Sequence, residues 1–366
     1  MNLIRISTLT SLTFLVVVAL ATPAHATPAQ LYRVSDLGAL PGATSTSAHA
    51  INDLGCVAGI SGQSAFLWSP QSGMVNLGIP STYLSATGVG INNSNQIAVS
   101  TTKGPNGSYQ GHAFRWTNGV YEDLGTLGGS YSTAYGIDEL GRVAGFAYSP
   151  SAIHAYRSTT GTTLIDIDGL GGDYSLGYGI NASGHVVGQA YGSDGKYHAF
   201  FWPGSGPMQD LGLFGAAQSV AKDISDNGII LGGGDTAFIW QDGVTTSFST
   251  PNFPGAFGSA VNNAGQVIGY YTYNQDYSRP FVWDAVNGAA DLNTVLDPVT
   301  GAGWLLLYAY DLNNSGQIVG QGFHNGEVRA FVLTPIPEPT ALLLLASGTA
   351  VCMQRHRRLC QSALSR

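Results

Sequence analysis

Seven times between residues 51 and 320 the chain repeats the core Ile-Asn-x-x-Gly-x-Val-x-Gly or a close variant, starting at Ile51, Ile91, Ile137, Ile180, Ile224, Val261 and Leu312. The intervals are 40, 46, 43, 44, 37 and 51 residues. A second signature follows each core, at Ala65-Phe66-Leu67-Trp68, His112-Ala113-Phe114, His154-Ala155-Tyr156, His198-Ala199-Phe200, Ala237-Phe238-Ile239-Trp240, Pro280-Phe281-Val282-Trp283 and Ala330-Phe331-Val332. Such a period, roughly 40–50 residues, is that of a four-stranded propeller blade.

The clearest copy runs from Gly179 to Gly212. Its short runs of β-branched and aromatic residues, separated by Gly and Asn clusters, read as strands joined by tight turns. Each copy offers four strands: one ending in Ile-Asn, a Val-x-Gly strand, an Ala-Phe-x-Trp strand and one ending in Asp-Leu-Gly. In connections such as Asn262-Asn263-Ala264-Gly265, Asn can bond its own backbone and Gly can take positive φ, which is hairpin chemistry. Phe and Trp two residues apart share one sheet face. The positions between them, such as Leu67, Phe201 and Ile239, are also apolar, as expected where neighbouring blades cover both faces.

The expected fold is therefore all-β, a seven-bladed β-propeller of four-stranded antiparallel blades. Before the first core stands Tyr32-Arg33-Val34-Ser35-Asp36-Leu37-Gly38, a fourth-type strand with no blade of its own, whereas the seventh copy stops after Phe331-Val332-Leu333. The N-terminal strand is predicted to complete the last blade, closing the ring and removing open sheet edges.

Composition agrees with an export-directed β protein. Gly is 50 of 366 residues and charged residues only 10%, so turns are many and charged helix faces few. From Thr27 to Ile336 there are nine Lys and Arg against 21 Asp and Glu, a net of −12. Such a domain repels a phosphate backbone, and no nucleic-acid partner is expected. Cys56 stands alone in the body, with Cys352 and Cys360 in the tail, so no disulfide framework is available.

The two ends carry export signals. Arg5, the apolar run Leu9 to Leu20 and the triplet Ala24-His25-Ala26 have the three zones of a secretory signal cleaved after Ala26, recognised by the small residues Ala24 and Ala26; a retained anchor is the alternative. At the other end Pro337-Glu338-Pro339 precedes an apolar run from Ala341 to about Met353 and the basic cluster Arg355-His356-Arg357-Arg358. An apolar run followed by basic residues holds a chain in the membrane with its body outside, although this run is short of the roughly 20 residues of a permanent span. The expected organisation is a signal peptide (1–26), a repeat domain (27–334) and a C-terminal tail (335–366).

The tail resembles the PEP-CTERM sorting signal of Gram-negative bacteria, on the match of Pro337, Glu338 and Pro339 to the signature and of Arg355, Arg357 and Arg358 to the basic end. The chain continues to Arg366 beyond that cluster. The resemblance implies an exosortase-type processing enzyme as partner, transient anchoring in the inner membrane, and a final place outside the cell or in the outer envelope. A plain C-terminal anchor is the alternative. The paired signatures of the body resemble the extracellular HAF-repeat family, from about Tyr32 to Leu333, through His112-Ala113-Phe114 and His198-Ala199-Phe200. That resemblance implies a secreted or surface protein of undefined activity.

Residue chemistry assigns no catalytic, cofactor-binding or metal-ligating group. His112, His154 and His198 occupy equivalent places in successive copies, but a zinc ion needs its nitrogens at about 2 Å from one centre, and equivalent places on different sheets stand roughly 10 Å apart. They are read as structural histidines bonding a backbone group, and His49, His185 and His324 as equally structural. A calcium loop needs alternating oxygen ligands and a closing carboxylate; Asn262 to Gly265 and Asn313 to Gly316 contain no carboxylate. The Asn-x-Ser triplets at Asn92, Asn181 and Asn313 fall on these turns and are read as turn chemistry, not glycan acceptors. Gly128-Gly129 and Gly171-Gly172 do not link a strand to a helix, so no phosphate fingerprint is present. Glu122 and Asp123, adjacent on a strand, point to opposite faces.

These readings lead to a secreted, non-enzymatic structural or binding module of the envelope or the extracellular polysaccharide, with function in the loops Thr101 to Gln110, Tyr191 to Lys196 and Asn293 to Gly303. The alternative is a propeller hydrolase or lyase acting on extracellular glycans, with residues gathered from several blades around the central channel.

Overall fold

The computed structural model describes residues 30–104, 110–234, 237–247, 256–273 and 277–337. In the clearest repeat the strands are Gly171–Ile180, Val186–Gly192, Tyr197–Trp202 and Gln209–Gly212. Each pairs antiparallel with the next, with Ile180 opposite Val186, Gly188 opposite Phe200, and Phe200 opposite Asp210. The first hairpin turns at Asn181, whose Oδ1 accepts the His185 N–H at 3.1 Å, while Gly184 takes φ +77°.

The two sequence signatures are one packing event. Gly188 lies directly across from Phe200, and a Cβ on Gly188 would collide with the Leu176 carbonyl oxygen and stand 2.8 Å from Phe200 Cε1. The fully buried Phe200 ring thus lies over the glycine. Gly320 opposite Phe331 repeats the arrangement.

The chain is an all-β propeller of four-stranded antiparallel blades. Five blades stand as separate four-stranded sheets, not the seven that the repeat count predicts. The third and fourth repeats share one eight-stranded sheet, because a parallel bridge between Ile153 and Tyr174 joins their strands. The hydrophobic core is divided into layers between neighbouring sheets. In one of them Ile51, Val57 and Phe66 of the first repeat pack with Val319, Ala330 and Val332 of the last, so the ring is closed.

Closure uses the N-terminal strand as expected. Tyr32–Asp36 pairs antiparallel with Glu327–Pro335, from Tyr32 opposite Pro335 to Asp36 opposite Phe331. Tyr32, Val34 and Leu37 are buried. The loop from Asn293 to Gly303 clasps this strand. The Tyr32 N–H donates to the Val295 carbonyl at 2.9 Å, and the Val34 N–H donates to Thr300 Oγ1 at 3.1 Å. That loop thereby takes part in the closure.

The two ends of the domain lie side by side, with the Ile336 N–H donating to the Leu31 carbonyl at 2.8 Å. Pro337 is exposed beside them. Ala24, Ala26, Glu338, Pro339, Arg355, Arg357 and Arg358 lie outside the described residues. Among the described residues no helix is long and apolar enough to cross a membrane.

Candidate functional site

The innermost strand of each repeat lines a central channel, and each carries a β-bulge at the same place. The unpaired residues are His49, Val89, Tyr135, Tyr178, Lys222, Ser259 and Tyr310. A bulge re-aims the extra side chain out of the ladder. All seven line one cavity of about 210 Å³ on the channel. In the sequence they form a fixed column, two residues before the Ile of each Ile-Asn, but nothing in that column marks it as inward-facing. The next column holds Ala50, Gly90, Gly136, Gly179, Asp223, Ala260 and Asp311.

At the turn end the channel is ringed by a belt of side-chain amides. Asn52 Nδ2 donates to the Asn92 carbonyl at 2.9 Å, Asn92 Nδ2 to that of Asp138 at 3.0 Å, Asn181 Nδ2 to that of Ser225 at 3.2 Å, Asn262 Nδ2 to that of Asn313 at 3.2 Å, and Asn313 Nδ2 to that of Asn52 at 3.0 Å. Asp138 and Ser225 lack the amide, and neighbours supply the donor. Arg142, bonded to Asp138, donates to the Ala182 carbonyl at 3.3 Å, and Asn227 Nδ2 to that of Asn263 at 2.8 Å. Asn92, Asn181 and Asn313 are each at most 3% exposed, which leaves no room for a glycan.

This mouth is a pocket of about 170 Å³ carrying Asp53, Glu139, Asp226 and Asp311. Their oxygens hold the next or previous repeat. Asp53 accepts from the Asn314 backbone and side chain, Glu139 from those of Asn93, and Asp226 from the Ala182 N–H. Asp223 and Asp311, deeper in the channel, each accept two backbone N–H groups: Val261 and Ile224 for Asp223, Ile51 and Leu312 for Asp311. Burial raises their pKa values to about 6 and about 7, against the lowering effect of those bonds.

The opposite end opens into a cleft of about 630 Å³. Tyr135, Tyr178, Tyr270, Tyr310 and Phe257 line it, with Gln189, Gln218, Ser219, Ser259 and Lys222 as polar groups. Among the described residues no Asp or Glu lines it. Rings form ladders on both sides: Tyr135 and Tyr178 have centroids 5.2 Å apart, and Tyr270 lies 5.9 Å from Tyr308, which stacks on Tyr310. His49 stacks on Tyr310 at 4.8 Å, and burial lowers its pKa to about 4, so it is neutral at pH 7. Lys222 Nζ stands 4.1 Å from the Tyr178 ring centroid. Beyond Gln218 the cleft adjoins a groove of about 620 Å³ lined by Asp173, Tyr174, Tyr191, Tyr197 and Lys196, which places part of the loop Tyr191 to Lys196 beside it.

The repeated histidines are structural, but their partner is not the expected backbone group. His112, His154 and His198 place Nδ1 at 2.9, 3.0 and 2.8 Å from Asp123, Asp166 and Asp210 on the adjoining outer strand. Arg279 does the same for Asp291 at 3.2 Å. The Asp of Asp-Leu-Gly thus has its own reason to recur: it accepts the N–H two residues on, as Asp210 does from Gly212 at 2.7 Å, and holds the His or Arg side chain of the neighbouring strand. Glu122 bonds Arg115, separately from the Asp123 pair. Among the described residues no group of three or more His, Cys, Asp or Glu side chains is placed to hold a metal ion. His185 packs edge-on to Phe201 at 5.1 Å.

No protein-family model matches the sequence. No curated protein matches it significantly. Solved structures do resemble the fold. A streptogramin B lyase is 11% identical with a TM-score of 0.51, over 83% of this chain and 98% of that one. The virginiamycin B lyase of Staphylococcus aureus is 14% identical with a TM-score of 0.51, over 83% and 100%. The extracellular domain of a one-component system of B. thetaiotaomicron is 9% identical with a TM-score of 0.50, over 81% and 39%. At these identities the likeness concerns the fold alone.

Proposed function

We propose that the protein is a secreted, non-enzymatic binding module that holds extracellular polysaccharide in the tyrosine-lined cleft at one end of its channel. The observation that carries this reading is the lining itself: five aromatic rings with Gln189, Gln218 and two serines, and no carboxylate among the described residues. Sugar rings present apolar faces edged by hydroxyls, so aromatic walls with a few amide and hydroxyl groups complement them. In this reading the repeats are seven blades around that channel, with the eight-stranded sheet as two of them, since each half keeps the order of a four-stranded blade. The chain is then an HAF-repeat protein delivered by its signal peptide and handled by an exosortase-type enzyme at Pro337, Glu338 and Pro339, with an extracellular or outer-envelope destination.

Binding of the purified full chain to a glycan array tests the reading. Retention of one or more polysaccharide classes is expected, weakened by Tyr135→Ala. A blank array overturns it.

The alternative of a glycan hydrolase or lyase has its best candidates in Asp223 and Asp311, which face the channel with raised pKa values. Both have their oxygens engaged by backbone N–H groups, and neither lines the wide cleft. Release of reducing ends or unsaturated sugars from a bound polysaccharide, abolished by Asp311→Asn, would establish the enzyme instead.

A further inference from the structure

We infer that the cleft selects carboxylated polysaccharide, with a uronate carboxylate of the chain pairing with the ammonium of Lys222. The inference rests on the reading of the cleft as a glycan site and names the charge class of its ligand. Lys222 is the only Lys or Arg among the described residues that line the cleft. Among the described residues it has no ion pair and no hydrogen bond; its one recorded partner is the face of Tyr178. A cation held over a ring keeps its N–H donors free for an anion at the other side.

The surroundings make that anion favourable despite the net charge of −12 from Thr27 to Ile336. Asp53, Glu139 and Asp226 sit at the opposite mouth, and exposed charges more than about 8 Å apart are largely screened at physiological salt. Asp223 and Asp311, which share the channel wall with Lys222, are committed to backbone N–H groups, and Asp173 lines the adjoining groove rather than the cleft. Lys222 stands on the bulge of its inner strand as a solvent-accessible side chain on the channel wall, and desolvation of its ammonium lowers its pKa; a carboxylate brought beside it favours the charged form. Exposed rings flank it for the sugar: Tyr135 is 37% and Phe257 52% exposed. Hydroxyl-only sugars would leave the ammonium without a counter-charge.

The test is calorimetric titration of the full chain with oligogalacturonate, oligoalginate and hyaluronan oligosaccharides, each beside its carboxyl-reduced neutral counterpart. At least one carboxylated oligosaccharide is expected to bind about ten-fold or more tightly than its reduced form, the range of a charge-assisted hydrogen bond. Lys222→Met should remove that preference, and Lys222→Arg should keep it, with melting curves showing both variants folded. Equal binding of carboxylated and reduced forms, or an unchanged preference in Lys222→Met, overturns the charge assignment and leaves the glycan reading standing. No binding by either set, together with a blank glycan array, overturns both.

Discussion

His324 Nδ1 stands 2.9 Å from Asp36 Oδ2, a bond across 288 residues that ties the first strand of the domain to its last sheet. Asp36 holds the place in the last sheet that Asp123 and Asp210 hold in theirs, opposite the Phe of the second signature. The expected histidine position there is Arg329, which bonds Glu327. His324 reaches Asp36 instead from the strand Ile318–His324, across the strand Glu327–Pro335 that lies between them. The last sheet is thus completed in side-chain chemistry as well as in backbone pairing.

Loss of this closure should destabilise the whole ring. Removing residues 27–40 strips out the buried Tyr32, Val34 and Leu37, together worth about 5 kcal/mol or more, and opens a sheet edge. A sharply lower melting temperature in a thermal scan is expected. Asp36→Ala should lower it by only about 2 °C, the effect of one modest polar pair. An unchanged melting curve for the deletion would mean that the ring does not depend on its first strand.

The His198 bridge gives a pH signature. Burial opposes protonation of His198, but its bonds to Asp210 and Asp194 outweigh that and raise its pKa above the ordinary value. A folded state that binds the proton more tightly gains stability that is full below about pH 6.5 and lost as pH rises through the folded value. Between pH 5 and 8, wild type should therefore exceed His198→Gln in melting temperature more at pH 5 than at pH 8. A gap independent of pH would refute the assignment.

Asp311 acts in the same direction for a different reason. Its folded pKa is raised to about 7 by burial, so its contribution is full below about pH 4 and lost as pH climbs to about 7. Asp311→Asn removes that slope and also the acceptor for one backbone N–H. The variant should melt below wild type at pH 4, with the gap narrowing toward pH 7. Parallel melting curves across that range would show that Asp311 is not titrating there.

Gly188→Ala tests the link between the two repeated signatures. The added methyl meets the Leu176 carbonyl and the Phe200 ring, and overpacking of this kind costs about 1–3 kcal/mol. Urea unfolding should show a lower midpoint with an unchanged slope. Stability equal to wild type would mean that the strands can separate without loss.

Strand type, turn position and ring closure were legible in the chain because they depend on local residues. Ile-Asn followed by Gly makes a hairpin wherever it stands, and an unmatched Asp-Leu-Gly strand at one end answers a missing one at the other. The partners of His112, His154 and His198 were not legible, since the carboxylates of Asp123, Asp166 and Asp210 lie 11 or 12 residues on and only register brings them opposite. The fusion of two repeats through Ile153 and Tyr174 was equally hidden, for it turns on a single bridge.

The sequence by itself determined that the chain would be a ring of small antiparallel sheets, because its period, its turn residues and its aromatic alternation act within one repeat. Only the tertiary structure decided what those sheets surround. Seven bulged residues, spread from His49 to Tyr310, belong to one channel because every inner strand carries the same insertion at the same height. Whether Lys222 faced solvent, core or channel could not follow from its neighbours in the chain; it follows from the bulge that turns it inward and from the Tyr178 ring that another strand places beneath it.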